Sequence, residues 1–197
     1  GHSAPGKLCV NTNFYATGGN SADIYVVYPA NAANSLKTAS PLMSGIATIA
    51  VDPAGDLAYY IQQGAPYTLA VYNRTSNTHT ELAQLANTGT VRPAVQPDNL
   101  TWFNGHLYWL QSNTDNLYKI ELKPDGTFSD TFLAADIAGN EETAFGTVGD
   151  LAVDETGLLY ISGSNRFASF NLATMSGYST IALNPSFVWS GLMIAAD

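Results

Sequence analysis

The chain has 197 residues, 46% of them hydrophobic and only 12% charged, so it is long enough to bury the core of one domain and too apolar to be disordered. Its formal net charge is −9, and this excess of acid repels nucleic-acid phosphates and anionic membrane surfaces. No apolar run reaches the roughly 18 residues of a membrane-spanning helix, and the single cysteine, Cys9, excludes an intramolecular disulfide.

The first residues, Gly1, His2 and Ser3, are typical of an expression tag. The low lysine content and the abundance of Asn and Thr are typical of exported bacterial proteins. We therefore expect residues 1–8 to be a tag remnant and leader, and residues 9–197 to form one domain of an extracellular or periplasmic protein.

In chain order, the first predicted strands cover 13–18, 23–28 and 35–42. A repeated pattern follows: a short apolar strand, a turn that holds Asp or Asn with Gly, and a strand that holds Leu and Tyr. The three copies span 46–61, 100–110 and 150–161. Alternating apolar residues around a turn that tolerates positive φ predict a β-hairpin in each copy.

Two more strands follow each hairpin. They are predicted at 68–72 and 78–85, at 116–122 and 127–133, and at 166–172 and 178–183. Four strands per repeat make the blade of a β-propeller. Tyr60, Tyr108 and Tyr160 mark a period of 48 and 52 residues, slightly longer than that of well-known propeller repeats.

The two ends of the chain complement each other. The first repeat lacks an inner strand, and 190–197 resembles the inner strand 149–154 with no strand after it. We predict an all-β fold, a small propeller of about four four-stranded blades, closed by the C-terminal strand pairing into the N-terminal blade. The predicted blades are 9–43 with 187–197, 44–86, 93–137 and 145–184. In the alternative that stays open, these residues form only part of a longer propeller of five to seven blades.

The motifs resemble those of known propellers. Leu107-Tyr108-Trp109-Leu110 with the following residues 113–120 resembles the receptor propellers that carry a Tyr-Trp-Thr-Asp (YWTD) motif. The pattern from Asp154 to Tyr160 is similar to NHL-type repeats and to gluconolactonase-like propellers. The whole arrangement resembles secreted bacterial propeller domains of unassigned function, which implies a binding role.

The gluconolactonase-like resemblance implies an oxygen-rich calcium site at the central channel. The candidate ligands are Asp98, Asn99 and Asp150. The competing interpretation is that these side chains satisfy backbone donors where strands begin. We expect no cofactor, with calcium as the open alternative.

Catalytic patterns are weak in this sequence. His79 and His106 are the histidines beyond residue 3, and we expect both to be exposed on an edge or a turn. Glu141 and Glu142 are sequence neighbours, which tends to point paired acids apart. No Gly-x-Ser-x-Gly nucleophile motif is present, so we predict no catalytic residue.

Loops that enter inner strands share one propeller face with the loops between second and third strands. The predicted ligand-binding residues on that face are Arg92, Gln111, Asn113, Phe145, Arg166 and Trp189. Flat aromatic rings beside amides and arginine suit peptide or sugar recognition. We expect Trp102 and Trp109 to pack between blades instead.

The leading hypothesis is a monomeric, non-catalytic binding or adhesion module of an exported bacterial protein, with a protein or carbohydrate partner. Neither nucleic-acid binding nor membrane insertion is expected. The alternatives are a calcium-dependent, lactonase-like hydrolase and a purely architectural domain.

Overall fold

The computed structural model describes residues 14–17, 23–27, 36–39, 46–52, 54–62, 68–84, 99–111, 115–123, 128–138 and 148–188. Every regular element within these ranges is a β-strand. The strands are β1 (Phe14–Thr17), β2 (Asp23–Val27), β3 (Leu36–Ala39), β4 (Ile46–Val51), β5 (Leu57–Gln62), β6 (Thr68–Asn73), β7 (Thr78–Gln84), β8 (Thr101–Phe103), β9 (His106–Gln111), β10 (Asn116–Leu122), β11 (Phe128–Ala134), β12 (Val148–Val153), β13 (Leu158–Asn171) and β14 (Ser176–Val188). Across these ranges, no helix is long and apolar enough to cross a membrane.

The strands form four antiparallel sheets, each made of strands that follow one another in the chain. Their orders are β1-β2-β3, β4-β5-β6-β7, β8-β9-β10-β11 and β12-β13-β14. The first strands of neighbouring sheets touch, since β1 contacts β4, β4 contacts β8, and β8 contacts β12. The sheets therefore lie side by side in chain order, and the predicted all-β blade architecture is confirmed.

The last sheet also contains four strand segments, because β13 folds back on itself. An extended strand of this length would span about 45 Å, yet the amide of Leu172 donates to the carbonyl of Gly157 at 2.9 Å. The rings of Tyr160 and Phe167 stack with their centroids 6.0 Å apart. The first arm of β13 pairs with β12 and the second arm pairs with β14, so these two arms are the second and third strands of a blade.

The third sheet buries both of its faces between its neighbours. Trp109 and Tyr118, on one face, belong to a buried cluster with Ile61 and Leu69 of the second sheet. Tyr108, Leu110 and Leu117, on the other face, belong to a buried cluster with Leu151, Leu159 and Ile161 of the fourth sheet. This two-sided burial explains why β9 is apolar at nearly every position rather than at alternate ones.

Local turn chemistry fixes the hairpins. The Asp52 carboxylate accepts hydrogen bonds from the amides of Asp56 and Leu57 at 3.0 and 2.9 Å. Gly55 and Gly157 have φ values of +75° and +86°, a region that favours glycine. The Asp-x-x-Gly spacing thus predicted the turns, because the aspartate accepts hydrogen bonds from turn amides and the glycine adopts a positive φ.

Residues 190–197, which are predicted to close the ring, lie outside the described residues. The last described strand, β14, ends at Val188. Ring closure and the predicted blade boundaries therefore stay predictions.

Candidate functional site

The two ends of each sheet differ in the connections that they carry. The hairpin turns at 52–57, 104–105 and 154–158 lie at one end, which we call the hairpin face. At the opposite end of the third sheet are the start of β8, the end of β9, the start of β10 and the end of β11. We call this end the strand-end face; its described residues include Asn99, Gln111, Asp115, Asn116 and Asp136.

Asn99 is fully buried and extends the pairing of β8 by means of its side chain. Its Nδ2 donates to the carbonyl oxygen of Leu110 at 2.7 Å, and its Oδ1 accepts from the amide of Leu110 at 2.8 Å. The side-chain amide therefore acts as one more backbone unit opposite β9. It locks the inner strand to the second strand at the strand-end face.

Gln111, the last residue of β9, is only 1% exposed. Its Oε1 accepts a hydrogen bond from the Tyr118 hydroxyl at 3.1 Å and a longer one from Asn116 Nδ2 at 3.4 Å. Within the described residues, its Nε2 is buried and has no hydrogen-bond partner. A buried, unpaired amide donor is unusual in a folded protein.

The turn after β9 is tied to the segment that follows β11. The amide of Asp115 donates to the Gln111 carbonyl at 3.0 Å, and the amide of Ile137 donates to the Asp115 carbonyl at 3.0 Å. Asn116 Oδ1 accepts from the amide of Asp136 at 3.1 Å. These bonds hold the polar residues of the strand-end face in fixed positions.

The described residues leave the proposed calcium site incomplete. Asp150, the third residue of β12, accepts a hydrogen bond from the Leu151 amide at 2.8 Å with its Oδ1, a local role of the kind expected from the sequence. The Asn99 amide binds Leu110, and Asp98 lies outside the described residues. Among the residues described, no group of three or more His, Cys, Asp or Glu side chains could hold a metal ion. Calcium binding stays a prediction, for metal analysis and chelation to test.

On the hairpin face, Asp154 is engaged by its own turn. Its Oδ1 accepts from the Thr156 amide, the Thr156 hydroxyl and the Leu158 amide, and its Oδ2 accepts from the Tyr160 hydroxyl. Burial opposes ionisation of the carboxyl, but the hydrogen bonds outweigh it, so the pKa of Asp154 lies below its ordinary value. Burial and the Asp154 charge raise the pKa of Tyr160.

The two histidines are less exposed than the sequence suggests. His79 of β7 is half-buried; it shares a hydrogen bond of 3.0 Å with the Tyr60 hydroxyl and packs on Tyr72 with ring centroids 4.8 Å apart. His106, the first residue of β9, is also half-buried. Burial lowers the pKa of both imidazoles, and the charge of Lys119 lowers that of His106 further.

Trp102 and Trp109 pack between neighbouring sheets, as predicted. Trp102 stacks on Tyr59 of the second sheet, with ring centroids 5.2 Å apart. Trp109 stacks on Tyr118 with centroids 4.4 Å apart and planes 10° apart. Both tryptophans therefore fill space between the second and third sheets with apolar surface.

Among the predicted ligand-binding residues, Gln111 is the one whose side chain the structure describes, and it lies in the core rather than on an open loop. Arg166 lies in β13, and its side chain is outside the described part. Arg92, Asn113, Phe145 and Trp189 also lie outside the described residues. Their roles in binding stay predictions.

The sequence reasoning missed the partners of Gln111. The short connection after β9 places Asn116 opposite Gln111 and Tyr118 opposite Trp109. The predicted hairpin 100–110 and the predicted next strand 116–122 together imply this register, because residues on facing strands share one side of a sheet. The signal was the spacing, not the residue types alone.

Comparison with solved structures identifies the architecture. A protein of unknown function from Bacteroides thetaiotaomicron is similar over 87% of this chain and 45% of its own length, with 22% identity and a TM-score of 0.62. The WD40 repeats of RRP9 are similar over 87% of this chain and 48% of their own, with 11% identity and a TM-score of 0.55. The fold is a β-propeller.

A chain of the nidogen/laminin complex is similar over 85% of this propeller and 63% of its own length, with 17% identity and a TM-score of 0.54. This propeller chain thus spans about half the length of the first two structures and less than two thirds of the third. No protein-family model matches the sequence, and no curated protein matches it.

Proposed function

We propose that this propeller is a non-catalytic binding module of an exported bacterial protein, and that it recognises a protein partner through its strand-end face. The observation that carries the proposal is the hydrogen-bond network that fixes the strand-end face from beneath, with Asn116 half-buried and Ala135 and Asp136 exposed above it. There, the Asn99 side chain is hydrogen-bonded to the backbone of Leu110. Hydrogen bonds from the amides of Asp136 and Ile137 to Asn116 and Asp115 join the segment after β11 to the start of β10. A surface ordered before binding loses little entropy when a partner docks.

The two faces differ in what their hydrogen bonds join. On the hairpin face, the carboxylates of Asp52 and Asp154 accept hydrogen bonds from the amides of their own turns. On the strand-end face, the amides of Asp136 and Ile137 bond to Asn116 and Asp115, so the bonds join two separate segments of the chain.

Two further observations support a protein partner over a carbohydrate. A chain of the nidogen/laminin complex, a complex between proteins, has this fold. The rings of Trp109 and Tyr118 are stacked on each other and buried, at 1% and 3% exposure, so neither offers an open face on which a sugar could stack.

The experiment is a selection of binders followed by mutation of each face. A random peptide library displayed on phage is panned against the wild-type protein, and a glycan array is probed with the same preparation. Each binder is then measured against two matched variants, Ala135→Arg on the strand-end face and Ala54→Arg on the hairpin face, both at exposed positions.

We expect peptide binders whose affinity falls at least about tenfold with Ala135→Arg and stays unchanged with Ala54→Arg. Loss with Ala54→Arg alone would show that the wrong face was chosen. Glycan binders without peptide binders would overturn the protein partner, and an absence of binders from both libraries would favour an architectural domain.

A further inference from the structure

The outer strands of three sheets share one irregularity, which defines equivalent positions in the three blades. Each strand has one extra residue at the same point of its pairing, followed by alanine: Leu82-Ala83 in β7, Leu133-Ala134 in β11 and Ile181-Ala182 in β14. The residue before the extra one is Glu81, Phe132 or Thr180. The second and fourth sheets therefore have a polar side chain where the third sheet has phenylalanine.

Phe132 is 47% exposed, although its side chain is large and apolar. The fold does not require phenylalanine there, because Glu81 and Thr180 occupy the equivalent positions. The ring is nonetheless supported: it meets Tyr118 edge-on with centroids 5.5 Å apart, and the Tyr118 ring stacks on Trp109. Aromatic side chains are enriched where proteins contact their partners, so a supported and exposed ring is suited to binding.

Asp136 is an exposed acid that lies close to Phe132. Its amide donates to Asn116 Oδ1 at 3.1 Å, and Phe132 is the cross-strand partner of Tyr118. Asn116 and Tyr118 both bond to Gln111 Oε1, so they lie on one side of β10; two residues along a strand span about 7 Å. Phe132 and Asp136 are therefore separated by about the length of one extended arginine or lysine side chain.

The charges around Asp136 favour a cation as its ligand. Among the described residues Asp136 has no ion-pair partner, whereas the Asp56 carboxylate on the hairpin face is bonded to Arg74 at 2.8 Å. Lys119 points to the opposite side of β10 from Tyr118, because side chains alternate along a strand. With a net charge of −9 the chain attracts cations and repels anions, so a basic group is the complementary one.

We propose that Phe132 and Asp136 together bind one arginine or lysine side chain of the protein partner. The side chain lies against the Phe132 ring, and its charged head group reaches the Asp136 carboxylate. This inference rests on the proposed function and specifies its partner as a protein segment with an exposed basic residue. Arginine suits the two residues best, because its planar guanidinium stacks on an aromatic ring and donates two hydrogen bonds to a carboxylate.

The other large apolar side chains exposed in the described part of the chain lack this combination. Ile181 is 50% exposed and lies on β14, a strand without Asp or Glu. Met175 is 37% exposed and lies directly before β14, at the hairpin face. Neither side chain offers an aromatic ring to a cation.

The first test is the composition of the peptides that phage display selects against the wild-type protein. We expect arginine and lysine to be enriched over the unselected library. In each selected peptide, replacement of the enriched basic residue by alanine should weaken binding about tenfold. Enrichment of acidic or purely apolar peptides would overturn the proposal.

The second test compares matched variants of the protein with the selected peptides as probes. Phe132→Thr introduces the residue that the fourth sheet has at this position, and Ile181→Thr is its control, a similarly exposed apolar residue on another outer strand. Asp136→Asn removes one negative charge, and Glu155→Gln is its control, an exposed acid on the hairpin face. We expect Phe132→Thr and Asp136→Asn each to lower affinity about three- to tenfold and both controls to leave it unchanged. Losses of the same size in the controls would contradict the proposal.

The third measurement combines changes in the peptide with changes in the protein. For a peptide whose basic residue has been replaced by alanine, Phe132→Thr and Asp136→Asn should cause no further loss, because the side chain that they bind is absent. The change in the peptide leaves the protein wild type, so impaired folding of a variant cannot imitate this result. Losses that simply multiplied would show that the basic residue binds elsewhere.

The outcomes separate this inference from the proposed function. If Ala135→Arg abolishes peptide binding while Phe132→Thr and Asp136→Asn bind normally, the strand-end face is correct but these two residues are not its binding site. If none of the three variants changes binding, the inference and the proposed face both fail. Selection of glycans that depend on Phe132, without peptides, would overturn the basic side chain as the ligand.

Discussion

Asn99→Ala removes both hydrogen bonds between the Asn99 amide and the backbone of Leu110, which are 2.7 and 2.8 Å long. Both residues are fully buried, so water cannot replace the lost partner without opening the sheet. Each buried backbone group left unpaired costs about 1–3 kcal/mol. The expected loss for the two groups is therefore about 2–6 kcal/mol, a large share of the roughly 5–15 kcal/mol that stabilises a typical domain.

The measurement is urea unfolding followed by tryptophan fluorescence, with wild type and variant compared at the same pH. Asn73→Ala is the matched control, because Asn73 also accepts a hydrogen bond from a backbone amide, that of Ser76, but in an exposed turn. We expect the control to lose at most about 1 kcal/mol. Equal losses for the two variants would contradict the bracing role of Asn99.

Asn99→Asp gives a second signature. The carboxylate keeps an acceptor for the Leu110 amide but sets a negative oxygen against the Leu110 carbonyl. At about pH 7 this variant should be less stable than Asn99→Ala, and it should recover at about pH 5 as the buried acid takes up a proton that it can donate. A variant whose stability did not recover at low pH would refute this geometry.

Three further changes probe the turns and the titrating groups. Gly157→Ala should cost about 1–3 kcal/mol more than Gly55→Ala in thermal unfolding, because both have positive φ but a Cβ at Gly157 would lie 3.3 Å from Phe103. Wild-type stability should fall below about pH 6.5, since the folded pKa of His79 is lowered, and His79→Gln should flatten this fall. The hydrogen-bonded Asp154 has a lowered pKa, so its contribution is present above the unfolded pKa and is lost as pH falls through the folded pKa; Asp154→Asn should flatten acid unfolding below about pH 4.

Each of these measurements has an outcome that refutes its reasoning. Equal costs at the two glycines would contradict the contact between Gly157 and Phe103. If stability fell as steeply between about pH 7 and pH 5 in His79→Gln as in wild type, groups other than His79 would cause the fall. For Asp154, acid unfolding curves that coincide for wild type and variant would show that its hydrogen bonds do not lower the pKa.

Much of the fold was predictable because its signals are local. The Asp-x-x-Gly and Asn-Gly turns set the hairpins, and the apolar runs between them set the strands. β10, for example, covers the predicted residues 116–122. The fold-back within β13 followed from the same repeat pattern, which separated 158–161 from 166–172.

The candidate site was less predictable, because burial and pairing depend on distant parts of the chain. Gln111 precedes the polar residues Ser112 and Asn113, so its neighbours in sequence suggest an exposed loop. The Tyr118 hydroxyl of the paired strand β10 donates to its Oε1, and packing against the second sheet buries the Tyr118 side chain.

For Asn99, too, the sequence determined one part of its role and the tertiary structure decided the rest. By itself, the sequence determined that a polar residue begins the inner strand of the third blade, and an amide there suits either a cation or a backbone. The tertiary structure decided between them, because the second strand brings Leu110 within 2.8 Å of the Asn99 oxygen. Sequence determines which groups can form hydrogen bonds, whereas the packing of distant strands determines which of them pair with one another.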